Sequence, residues 1–145
     1  VKYLLDTCVI SEMIRPNPDR HVQKWILNQE EENLYLSVLT LGEIQKGICK
    51  MEEVSRKKAR LTRWLNDELA ARFQDRILAF SLDVAFAWGG MMGEAERQGR
   101  KLPVLDAMIA ATALHHEMTV VTRNAEDMIR CHVEVINPWR EARSG

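Results

Sequence analysis

The chain has 145 residues, of which 46% are apolar and 28% charged, ordinary globular usage that excludes a disordered, collagen-like or coiled-coil chain and suits a single domain, 1–145, with a full core. Its 20 basic and 21 acidic residues leave a net charge of -1, so it presents no strong overall field to nucleic acid and any polyanion has to be held locally. No apolar run approaches the roughly 20 residues that span a bilayer, and Asp6 breaks the first run before it could act as a leader, which predicts a cytoplasmic protein with no membrane partner.

In chain order, Lys2 to Leu5 reads as a short buried strand and Val9 to Ile14 as a brief helix stopped by Arg15, Pro16, Asn17 and Pro18. Asp19 is placed to cap a second helix carrying Val22, Trp25 and Ile26. Leu34 to Leu36 predicts another strand, and Ser37 the cap of a helix running through Glu43 to about Met51. Leu61, Trp64, Leu65 and Leu69 predict an amphipathic helix over 55–71.

Ile77 to Phe80 forms the third predicted strand, followed by a long helix from about Leu82 to Gln98 and a polar break at Gly99, Arg100 and Lys101. Pro103 suits the first turn of the next helix, LDAMIAATAL. A fourth strand at Thr119 to Val121, a short helix near Glu126 to Ile129 and a last strand at Val133 to Ile136 complete the chain. Short apolar strands alternating with helices predict an α/β fold with a mainly parallel sheet.

Ligands of open parallel sheets bind beyond the carboxyl ends of the strands, where strand order reverses. Asp6 follows the first strand directly, where it serves equally well as a helix cap or as a site residue. Asp106 shares a helical face with Ile109, Ala110 and Ala113. A first-turn acid favours the helix dipole, but on the packed face an unpaired carboxylate is costly to desolvate. Glu43 has the ordinary alternative of pairing with Lys46 one turn on, and Thr122, Asn124 and Asp127 that of turn and cap chemistry.

Taken together, these acids lie at the ends of two strands and near the starts of two helices, all on one edge of the predicted sheet. Carboxylates converging there repel unless a cation neutralises them, and oxygen-only donors select Mg²⁺ or Mn²⁺. Such a site suits activation of water against a phosphodiester.

In this order and spacing, LLDTCVISE, LTLGEIQKG, LPVLDAMIAATA and VVTRNAEDM resemble the PIN-domain nucleases, specifically the VapC-type toxins of bacterial toxin-antitoxin pairs, and the closing VINPW resembles the FitB-like subgroup. The resemblance implies a three-layer PIN fold with about five short strands. It implies a metal-dependent endoribonuclease in which Asp6, Glu43 and Asp106 bind Mg²⁺ or Mn²⁺, with Asn124 or Asp127 completing the set. Thr7 and Thr122 match supporting hydroxyls. Cys8 stands where relatives usually carry Asn. The resemblance further implies a homodimer and an antitoxin whose C-terminal segment covers the active site, with DNA reached only through that complex.

Arg15, Lys46 and Arg123 flank the acids and are candidates for phosphate or partner contacts, with surface charge as their plain alternative. The basic run Arg56, Lys57, Lys58, Arg60 and Arg63 reads first as a solvated helix face. His115 and His116 are adjacent on a helix and cannot serve one ion from the same side. Cys8, Cys49 and Cys131 form no C-x-x-C pair and are expected to be buried reduced thiols. A phosphatase loop fails because six residues, not five, separate Cys8 from Arg15. The functional alternative is a catalytically idle PIN-like module that binds RNA or a partner protein.

Overall fold

The computed structural model describes residues 1–52 and 54–140. Glu53 and residues 141–145 lie outside that range, and with them the last five residues of the expected domain.

Five strands, β1 (Tyr3–Leu5), β2 (Leu34–Ser37), β3 (Ile77–Leu78), β4 (Thr119–Val121) and β5 (Val135–Ile136), form one parallel sheet in the order β3-β2-β1-β4-β5. The chain builds outward from β1 through β2 to β3, then returns to lay β4 on the other side of β1. The carboxyl ends of β1 and β4 therefore meet at the point where the direction of building reverses.

The strands lack polar alternation because both faces are covered. Leu5 and Val121 pack with Val9 and Ile10 of α1 (Thr7–Met13), Val22 and Ile26 of α2 (Arg20–Leu27) and Ile48 of α3 (Val38–Cys49). On that same face lie α4 (Arg56–Arg63), a wider π-helical stretch at Trp64–Leu69, and α5 (Ala70–Arg72), which inserts Phe73 just beyond its end. Leu4 and Val120 point the other way, against Ala95 of α6 (Leu82–Arg97), Ile109, Ala110 and Ala113 of α7 (Val104–His115) and Met128 of α8 (Ala125–Ile129).

Several predicted boundaries move. The first helix starts at Thr7 rather than Val9, because the Asp6 carboxylate accepts the Thr7 N–H at 2.8 Å and caps it there. The helix expected over 55–71 starts at Arg56, ends at Arg72 and is interrupted by the π-helical stretch, which keeps Leu65 and Leu69 both in the core. The third and fifth strands are only two residues each, since pairing is limited to Leu36 and Ser37 for β3 and to Val120 and Val121 for β5. Gly99 ends α6 at φ +70°, the left-handed conformation that glycine adopts without a Cβ penalty, while the Arg100 N–H reaches back to the Ala95 carbonyl at 2.8 Å. Of the three thiols only Cys131 is buried; Cys8 is partly exposed and Cys49 exposed, because its position at the end of α3 faces outward.

Candidate active site at the carboxyl edge of the sheet

Strand pairing delivers Asp6 to its place. Its N–H continues the β1–β4 ladder to the Val121 carbonyl at 2.9 Å, after which the chain turns into α1. The two carboxylate oxygens then divide the roles that sequence left open. Oδ1 caps α1, while Oδ2 accepts the Thr122 hydroxyl at 2.8 Å, with the residue only 6% exposed. The Thr122 hydroxyl in turn accepts the Asn124 N–H at 3.0 Å. Its own backbone N–H donates to Ile136 at 3.0 Å, so Thr122 is held by β5 as well as by β1.

Glu43 comes from α3, whose start is set by Ser37 accepting the Leu39 N–H at 3.0 Å. The Thr7 hydroxyl donates to Glu43 Oε1 at 2.5 Å, so the first turn of α1 supplies one hydroxyl to this acid while the end of β4 supplies another to Asp6. The alternative pairing of Glu43 with Lys46 is absent among the described residues; Lys46 is exposed.

Asp106 lies in the first turn of α7, half-buried, and its carboxylate accepts no hydrogen bond among the described residues. Its pKa is pushed up to about 6, first by burial and then by the charges of Asp6, Asp127 and Glu43. Four carboxylates, from the turn after β1 and from α3, α7 and α8, thus share one electrostatic neighbourhood. Of the two candidates in the fourth segment, Asp127 belongs to that neighbourhood. Asn124 is exposed, and its side chain forms no hydrogen bond among the described residues.

The acids feel one another without closing on a point. Among the described residues no three His, Cys, Asp or Glu side chains stand close enough to hold one metal ion directly. Mutual repulsion separates uncompensated carboxylates, and Mg²⁺ keeps several of its waters, so a loose all-oxygen set with Asp106 uncompensated fits a hydrated hard cation. No histidine joins the set among the described residues, and the neighbouring thiol, Cys8, is kept protonated by burial, so the donors favour a hard ion over a soft or nitrogen-loving one.

The flanking cations do not all face this edge. Arg15 is turned onto Glu12 at 3.1 Å, and Arg123 lies over the Trp139 ring at 4.7 Å while its N–H meets the Cys8 sulfur at 3.4 Å. Cys8 Sγ is 3.5 Å from the Thr122 hydroxyl, filling the corner between β1 and β4; burial pushes its pKa up and keeps it protonated at neutral pH. Glu12 is the residue that sequence reading passed over. It is 4% exposed, and it accepts the Asp19 N–H at 2.8 Å as well as the Arg15 guanidinium, pinning the loop between α1 and α2. Its only signal was an acid at the end of a short apolar helix.

A parallel sheet whose acids gather at the strand-order reversal is the arrangement of a PIN domain, and the PIN domain pattern matches residues 3–130. The chain belongs to the PIN-domain family. Within it, the chain is a VapC-type, FitB-like member. It is 36% identical over 139 residues to VapC ribonuclease Y4jK of Sinorhizobium fredii, covering 96% of this chain and 99% of that protein. It is also 36% identical over 138 residues to Toxin FitB of Neisseria gonorrhoeae, covering 95% and 99%. The structure of FitAB bound to an IR36 DNA fragment superposes with a TM-score of 0.90 at 34% identity, covering 99% of both chains.

Proposed function

We propose that this protein is a divalent-metal-dependent endoribonuclease that acts as the toxin of a toxin-antitoxin pair. The observation that carries the reading is the gathering of Asp6, Glu43 and Asp127, from separate elements, around the half-buried Asp106, whose carboxyl is raised first by burial and then by their charges, an arrangement costly to a fold unless a cation relieves it. Asp6, Glu43, Asp106 and Asp127 would hold Mg²⁺ or Mn²⁺, which when bound supplies positive charge to a phosphodiester and acidifies water. The chain's own contribution is orientation. Thr122 fixes Asp6, Thr7 fixes Glu43, and the buried strand ends beneath them exclude solvent from one side of the acids.

Names among the relatives support the biological role. VapC ribonucleases and Toxin FitB are full-length matches, and the similar structures include FitAB with DNA and FitAcB of Neisseria gonorrhoeae, the latter at TM-score 0.87 and 36% identity over 94% of this chain. The corresponding partners here are a homodimeric second copy and an antitoxin whose C-terminal segment lies over the acidic edge, with DNA engaged through the antitoxin. No helix among the described residues is long and apolar enough to cross a membrane.

Cleavage of single-stranded RNA by the purified protein tests this directly. Activity should require Mg²⁺ or Mn²⁺, vanish in EDTA, and be abolished by Asp6→Asn or Asp106→Asn with the fold retained. The wider spacing of the acids favours one competing reading, an idle module that only binds RNA or its partner. No cleavage under any divalent cation would leave that reading standing.

A further inference from the structure

Beside the acidic edge, on the face of the sheet that carries α2, lies an open cleft of about 1060 Å³. One wall is α2, contributing Arg20, His21 and Lys24; the other is the segment that leaves β5, contributing Ile136, Asn137 and Arg140. Three fixed cations and a histidine line it, and no carboxylate does among the described residues. Arg20, Lys24 and Arg140 form no ion pair among the described residues. The neighbouring Asp19 caps α2, its Oδ1 accepting the N–H groups of His21 and Val22, and forms no ion pair with these cations among the described residues. At about 1060 Å³ the cleft lies at the upper end of the roughly 300 to 1,000 Å³ of small-molecule pockets and opens to solvent, which leaves room for a strand.

Its position follows from the backbone. The Ile136 carbonyl, in the cleft wall, accepts the N–H of Thr122, whose hydroxyl holds Asp6. The wall therefore begins at a residue two hydrogen bonds, through Thr122, from Asp6. The cleft also has apolar surface, from Trp25, set edge-on to Tyr3 at 5.0 Å, and from Leu27 and Pro138. Unpaired cations spaced along an aromatic and apolar surface are the combination that seats a single strand, phosphates on charge and bases on apolar faces. In a chain of net charge -1 such a local concentration is how a polyanion is held.

We infer that this cleft seats the single-stranded RNA flanking the scissile phosphate, with Arg20 and Lys24 contacting its phosphates. The inference rests on the nuclease reading for its occupant but not for its measurement. A fluorescein-labelled 16-nucleotide oligo(U) is titrated in EDTA, where no cleavage occurs, against wild type and the double variant Arg20→Gln, Lys24→Gln. Both positions are exposed, so the fold is retained. Affinity should drop by about tenfold, and the slope of log affinity against log salt should become shallower by about 1.4, since each phosphate contact on a single strand contributes about 0.7. In cleavage assays with Mg²⁺, KM for a long RNA should rise with kcat preserved.

As a control, two exposed cations are removed from α4 instead, Arg56→Gln and Arg60→Gln, which should change neither quantity. An unchanged salt slope in the α2 variant overturns the inference, as does an equal loss in the α4 control. Loss of antitoxin co-purification with RNA affinity intact overturns it too and assigns the cleft to a protein partner. Failure of wild type to cleave any RNA, with the α2 salt effect present, sinks the nuclease reading and leaves the cleft as an RNA site.

Discussion

The hydroxyl of Thr122 donates to Oδ2 of Asp6 at 2.8 Å and accepts the Asn124 N–H at 3.0 Å, so one buried side chain ties the ends of β1 and β4 to the turn that launches α8. Thr122→Val keeps the shape and removes both bonds. A buried carboxylate oxygen and a backbone N–H then lose their partner, a loss on the order of 1–3 kcal/mol in urea unfolding. Because Asp6 is no longer held in place, RNA cleavage should fall by about 10- to 100-fold and half-saturation should need more Mg²⁺. Unaltered metal dependence would mean that the hydroxyl serves folding alone.

Thr7 does the same for Glu43 from the opposite side of the edge. Thr7→Val should weaken metal binding with little change in thermal stability, because Thr7 is only partly buried, whereas Thr7→Ser retains the oxygen and should recover most of the activity. Isothermal titration with Mn²⁺ distinguishes the two variants. Equal affinities for Val and Ser would remove Thr7 from the site.

Asp106 makes a prediction about pH that runs opposite to usual acid denaturation. Its carboxyl is raised from 3.8 to about 6 in the folded protein, so the native state holds a proton more tightly than the unfolded chain. Ionising it in the native state is therefore unfavourable. The penalty is absent below 3.8, grows as pH rises to about 6 and is constant above. In EDTA at pH 7, Asp106→Asn should melt at a higher temperature than wild type, with the gap closing as pH approaches 4. Added Mg²⁺ should raise the wild-type melting temperature more than the variant's. Thermal unfolding across that pH range, with and without metal, reads both effects.

Glu12 behaves in the ordinary sense. The Asp19 N–H holds its carboxyl below the usual value of 4.5, against the effect of burial, and Arg15 assists. Its contribution is complete above 4.5 and is lost as pH falls toward the lowered folded value. Glu12→Gln should lower stability at pH 7 by on the order of 2 kcal/mol, the scale of charged hydrogen bonds, and the difference from wild type should shrink below pH 4.5. Amide exchange of Asp19 should quicken in the variant while that of the β1–β4 ladder does not.

Much of this site is legible in the residue order because its signals are local. An acid straight after an apolar strand, as Asp6, and an acid on the face of Ile109 and Ala110, as Asp106, each conflict with the surroundings predicted for them. What escapes is set by tertiary placement. Asn124 is a neutral amide and cannot add charge wherever it lies, but that Asp127 comes near enough to Asp106 to raise its carboxyl is a matter of how α8 packs on α7. Arg15 flanks the acids in sequence but is claimed by Glu12, and Lys46 forms no ion pair among the described residues although Glu43 stands three residues before. The cleft is invisible in the letters because its walls lie more than a hundred residues apart along the chain.

The central position of β1 has a consequence for synthesis. This first strand is flanked by β2 on one side and waits for β4, residues 119–121, on the other, and the acids around Asp106 run to Asp127. A nascent polypeptide lacking those last segments has an open sheet and an incomplete set of carboxylates, however long it lingers on the ribosome. Arrested chains ending before Val121 should be protease-sensitive, so that the sheet closes around β1 and the acids gather only once the segment through Asp127 has been made.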